Sequence, residues 1–105
     1  MITSGEGKYR VWLEKYQVGS DLIFVLGGGE RPHLGSVVVA EPGKSPQVIV
    51  LTGHRDDVVL RPIAQRACEK YKVTVVVVGG VHVDHASKDD IRILEENCRG
   101  LLREV

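Results

Sequence analysis

Four histidines stand in this 105-residue chain, and every one follows closely on glycine. The segments are Gly27-Gly28-Gly29-Glu30-Arg31-Pro32-His33, Thr52-Gly53-His54-Arg55-Asp56-Asp57 and Gly79-Gly80-Val81-His82-Val83-Asp84-His85. Imidazole ligates metals, moves protons and bonds anions. Glycine lets a backbone approach a ligand closely and leaves N–H groups accessible. The first segment could cradle a phosphate with its amides. It lacks the GxGxxG spacing and no helix follows it, so a dinucleotide fingerprint is excluded. In the second segment His54 and Arg55 could hold a phosphate or carboxylate. The plainer alternative is that Asp56 or Asp57 caps a helix and His54 is merely solvated. In the third, an extended backbone puts His82 and Asp84 on one side and His85 on the other. His82 with His54 or His33 could form a metal site, with Asp84 as a ligand or an orienting carboxylate. No HExxH motif and no sequential spacing forces that geometry. Ser36 and Ser87 have structural explanations, so nucleophilic catalysis is not expected.

The elements that must carry these segments can be read from periodicity. Residues 1–7 are rich in glycine, serine and glutamate and are expected to fray or be disordered. Residues 8–18 alternate, with apolar residues on both parities, and read as a strand. Further strands are expected at 22–26, 34–40, 47–51 and 73–78. Three consecutive glycines break the pattern after Leu26, and Pro42-Gly43 makes a turn. Val59, Ile63, Ala67 and Tyr71 recur at spacing four, as a helix requires. Pro62 either kinks that helix or lies in its first turn. Ser87 is a good N-cap for a last helix, with Asp89 and Asp90 in its first turn. The expectation is one α+β domain over residues 1–105, with element order β-β-β-β-α-β-α. A two-layer, five-stranded mixed sheet carries two helices packed on one face. Strands 47–51 and 73–78, joined by a helix, should be parallel.

Strand direction then makes a geometric prediction. The strand at 22–26 delivers the first glycine segment to one end of the sheet. The next runs back, the Pro-Gly turn lies at the far end, and strands 47–51 and 73–78 return. All four histidines should therefore share one edge, with both helix N-termini adding positive potential there. Apolar residues on both faces of the first strand cannot all be covered by two helices, so a homo-oligomer is expected.

Composition narrows the classes. Lys+Arg and Asp+Glu are equal at 14 each, which argues against nucleic acid. There is no polybasic tract for anionic lipid. Residues 1–10 hold no apolar stretch of signal-peptide type, and the longest apolar run, Val75–Val78, is too short to span a bilayer. No membrane is therefore expected, and a cytoplasmic setting is. Cys68 and Cys98 have no CxxC partner and read as buried, reduced thiols.

Taken together, GGGERPHLGSVVVA, TGHRDD and GGVHVDHASKDDI resemble the prenylated-flavin chaperone-like family, which supplies the small accessory subunit of gallate decarboxylase. The similarity runs from about Leu22 to the C-terminus. It implies a protein that binds, carries or loads prenylated flavin mononucleotide (or FMN) for the large subunit of a UbiD-type decarboxylase. Such a protein catalyses nothing itself. Carried over by position, the ligand-facing residues would be Gly28, Gly29, Arg31 and His33, then Gly53, His54 and Arg55, then His82 and Asp84. His85 stands where the family pattern has an uncharged polar residue. Two other readings stay open: a small metal-dependent enzyme using His33, His54 and His82, and a decarboxylase interaction subunit without a ligand of its own. The nearest aromatic to the histidine end is expected to be Tyr9, which leaves no evident stacking platform.

Overall fold

Alternation builds the sheet. Val11 and Leu13 are buried while Trp12 and Glu14 are not, and the same period of two runs through β-strand residues 21–26, 36–40 and 75–79. The structure, a computed structural model, describes residues 1–51 and 55–105. Among these, the elements are β1 (Ile2–Ser4), a 3-10 turn (Gly7–Tyr9), β2 (Val11–Val18), β3 (Asp21–Gly29), β4 (Ser36–Ala40), β5 (Gln47–Val50), α1 (Asp57–Tyr71), β6 (Val75–His82), α2 (Lys88–Leu101) and a closing 3-10 turn (Leu102–Glu104). The strands form one mixed sheet in the order β1-β2-β3-β6-β4-β5.

Three expectations need correction. The sheet has six strands, not five, because Ile2–Ser4 pairs with β2 instead of fraying: Ile2 lies opposite Leu13 and packs on the core. Strand order also differs. β5 and β6 run the same way but are not neighbours, since β4 lies between them. β6 inserts between β3 and β4, pairing parallel with the first and antiparallel with the second. It is the most apolar segment of the chain, so the centre of the sheet is where it buries most. Finally, the glycines do not end their strands. β3 runs through Gly29 and β6 through His82.

Cross-strand partners share a face. Leu13, Leu26, Phe24, Val77 and Val38 are all buried on one side, under both helices. α1 adds Leu60, Ile63, Ala64 and Ala67; α2 adds Leu94, Cys98 and Leu101. Two helices on one face of a mixed sheet is the expected layering. α1 continues through Pro62, which removes one internal N–H near its first turns and does not end it. Its C-cap is Lys72 at φ 57°, whose N–H donates to the Cys68 carbonyl. Ser87 caps α2 as its sequence predicts: its Oγ accepts from the Asp90 N–H at 3.1 Å, and Asp90 accepts from the Ser87 N–H at 2.9 Å. Among the described residues, no helix is long and apolar enough to cross a membrane.

Among the described residues, no helix lies on the opposite sheet face. Reading across β2, β3, β6, β4 and β5, one row is Glu14, Val25, Val78, Val37 and Ile49, and the next is Tyr16, Ile23, Val76, Val39 and Gln47.

Candidate functional site

The end of the sheet where β3 and β6 finish gathers the charged and imidazole groups. Backbone bonds come first. The N–H groups of Glu30 and Arg31 both donate to the His82 carbonyl, at 2.7 and 3.2 Å. The Asp84 N–H donates to Glu30 Oε1 at 2.9 Å. The chain leaving β3 is thereby fastened to the chain leaving β6. Side chains follow from that fastening. Arg31 donates to Asp84 Oδ2 at 2.8 Å, and Asp84 Oδ1 lies 3.1 Å from His82 Nε2. The Arg31 guanidinium, with His82 as a lesser contributor, holds the Asp84 carboxyl below its ordinary range.

His33 meets His82 edge to face, with ring centroids 6.0 Å apart. Its Nε2 lies 3.1 Å from Asp56 Oδ2, and the other oxygen of Asp56 accepts the Val81 N–H at 3.0 Å. Asp56 is only 9% exposed. It occupies the N-cap position of α1 but makes no capping bond, because its carboxylate turns toward the sheet. Two glycines make room for it. A Cβ on Gly80 would stand 2.8 Å from Asp56 Oδ2 and 3.0 Å from His33 Nε2, and one on Gly35 would collide with the same carboxylate. Sequence reasoning gave Asp56 no part beyond the alternative that it or Asp57 caps a helix; the signal that could have found it is the pair of small residues, Gly35 and Gly80, at matching strand ends.

The predicted residues separate into three groups. Arg31, His33, His82 and Asp84 come together. Gly28 and Gly29 lie beside them within β3, at φ 145° and 73°. Their lack of a Cβ serves packing: one on Gly28 would stand 2.6 Å from the Arg10 carbonyl, and one on Gly29 would collide with the His82 backbone. The Gly29 N–H donates to Arg10. With the Gly29, Glu30 and Arg31 amides engaged, an anion here is met by side chains and not by an amide cradle. Arg55 is exposed and pairs with Asp57 at 3.2 Å instead of Arg31 or either imidazole. Gly53 and His54 lie outside the described residues. His85 is exposed, at φ 53°. Tyr9 donates instead to Asp90 at 2.6 Å, tying the 3-10 turn to the start of α2.

Among the described residues, no group of three or more histidine, cysteine or acidic side chains is placed to hold a metal ion. A shallow cleft of about 270 Å³ is lined by Arg31, His33, Leu34 and His82. A larger one, about 480 Å³, lies between the Pro-Gly turn and α1, at the far end of the sheet from the histidines. The donor set at the histidine end suits a phosphate: a guanidinium with N–H groups to spare and an imidazole beside it. Leu34, 64% exposed, offers an apolar wall next to those donors.

The fold is a small α+β domain that carries an Arg-His-Asp cluster at one end of its sheet. The chain belongs to the prenylated flavin chaperone LpdD-like domain family, which it matches over residues 5–105. It is 22% identical over 109 residues to Protein LpdD of Lactiplantibacillus plantarum (strain ATCC BAA-793 / NCIMB 8826 / WCFS1), across 99% of this chain and 80% of that protein. Its fold is similar to a chain in the crystal structure of a novel chaperone complex for yeast 20S proteasome assembly. That likeness has a TM-score of 0.56 and 16% identity, and covers 98% of this chain and 94% of the other. Family membership points to a non-catalytic accessory role tied to prenylated flavin.

Proposed function

We propose that this protein binds prenylated flavin mononucleotide, or FMN, and delivers it to the large subunit of a UbiD-type decarboxylase. The observation that carries this reading is the clamp of Arg31, Asp84 and His82. Asp84 uses one oxygen to orient the guanidinium and the other to orient the imidazole, so both donors are fixed before a ligand arrives. The flavin phosphate is met by Arg31 and His82, with His33 held beside them by Asp56. Gly28 and Gly29 let the β3 backbone pass close under this group. The same reading counts Gly53, His54 and Arg55 as ligand-facing, on the family pattern alone.

Reconstitution tests delivery. A decarboxylase large subunit freed of its flavin is mixed with prenylated flavin mononucleotide, with and without this chain. Faster or more complete recovery of decarboxylation with the chain, and loss of that gain with Arg31→Ala, is expected. Equal recovery with and without it would contradict delivery.

The same reading includes a homo-oligomer, formed by the open sheet face. The two rows cross five strands, about 19 Å at about 4.8 Å per strand spacing, and are apolar apart from Glu14 and Gln47 at their ends. A second copy laid over these rows, clear of the Trp12–Gly27–Gly80 row, packs in the aligned two-sheet manner.

A further inference from the structure

We propose that Trp12 is the stacking platform for the planar ring of the ligand, on the open sheet face next to the histidine cluster. This rests on the flavin reading above and adds to it where the ring lies. Trp12 is the chain's single tryptophan. Its strand partner is Gly27, and the partner of Gly27 on β6 is Gly80. A Cβ on Gly27 would run into the six-membered ring of the indole, so the ring lies flat across the strand. On the adjacent strand, the space above Gly80 is taken by the Asp56 carboxylate and His33 Nε2. Gly27, under the indole, and Gly80, against the imidazole–carboxylate pair, are partners on neighbouring strands, about 4.8 Å apart at the backbone. His82 stands edge-on to His33. The two imidazole rings are therefore perpendicular to each other at this end of the sheet.

No helix covers this face, and the indole is only partly buried. Trp12 opens into a cleft of about 320 Å³ shared with Arg10, Gly28 and Gly29. A second cleft at the histidine end is lined by Arg31, His33, Leu34 and His82. Each alone is small for a drug-sized ligand. A planar heteroaromatic ring stacked on the indole, with an anionic tail reaching Arg31, uses both. Aromatic stacking suits a ring system with few obligatory hydrogen bonds.

The test is calorimetric titration of oxidised FMN into the wild-type protein, Trp12→Leu and Trp12→Phe, with visible absorption spectra of each mixture. Circular dichroism confirms that each variant is folded. Stacking predicts that Trp12→Leu weakens FMN by about 5- to 150-fold, while Trp12→Phe stays within about fivefold of wild type. A long-wavelength charge-transfer shoulder should appear with wild type and vanish with Trp12→Leu; if that variant does not fold, loss of the shoulder in Trp12→Phe is the deciding signal. Wild-type binding of FMN without the shoulder, or with Trp12→Leu binding as tightly, overturns the platform and leaves the flavin reading standing. Absence of any binding to the folded wild type, by FMN or by prenylated flavin mononucleotide, overturns both.

Discussion

Asp56 joins three segments with two oxygen atoms: its own helix start, the Val81 amide of β6 and the His33 ring. A buried carboxylate so placed is costly to remove. Asp56→Ala leaves the Val81 N–H unsatisfied and takes one partner from His33, and should lose about 1–3 kcal/mol in urea unfolding. Gly80→Ala should lose a comparable amount, since the new methyl must displace Asp56 or His33. Unchanged unfolding midpoints for both would refute this account of the two glycines. Asp84 gives a pH prediction. Its carboxyl is depressed, chiefly by Arg31, so the link is complete above the ordinary carboxylate range, about pH 4, and is lost only as pH falls below it. Carboxyl-carbon NMR titration should show a midpoint below that range, moving up in Arg31→Gln. The residue types in this cluster were legible in the sequence because every histidine follows glycine in one of three short segments. Asp56 was not, because an acid before a helix has an ordinary explanation, and only the fold reveals that it faces the other way.

Elements were readable where a local rule decides them. Ser87 and Asp90 form a reciprocal cap that the sequence announces, and Ser87→Ala should cost about 1 kcal/mol of stability. Equal thermal unfolding of the variant and wild type would deny the cap its role. Elements were misread where a long-range partner decides. Ile2–Ser4 has too few residues to announce a strand, and becomes one because the β2 edge is free beside it. The glycines of β3 and β6 read as breaks, yet they pair with each other, Gly27 with Gly80 and Gly28 with Val81, so neighbouring strands supply what side chains do not. Burial within α2 also has a chemical consequence. It pushes the Cys98 thiol up to about 12, with the charge of Asp56 adding to it. The neutral thiol is thus favoured in the fold at every pH below the ordinary thiol range, about 8.5, and that contribution fades only as pH climbs toward the folded value. Thiol reagents at about pH 8 should label Cys98 slowly in the native protein and quickly in urea.

At the scale of the molecule, one face of the sheet is a core and the other is a surface with a core's composition. Strand directions were enough to place the first and third histidine segments at one end, because β3 and β6 run the same way; His54 lies outside the described residues. Strand order was not legible, since nothing local says that β6 threads between β3 and β4. The open face predicts self-association: light scattering at micromolar concentration should give a multiple of the 11.5 kDa chain mass. Val25→Glu, in the centre of that face, should yield a folded monomer; a monomeric wild type would remove the second copy from the account. The central claim concerns the other end of the molecule, where Arg31, His33 and His82 converge. It is tested most directly by titrating prenylated flavin mononucleotide into the wild-type chain and into folded Arg31→Ala and His82→Ala variants. The account predicts one flavin per chain with saturation below tens of micromolar, and at least a tenfold weakening in each variant. No saturation with the folded wild type, or equal affinity across all three, would contradict it.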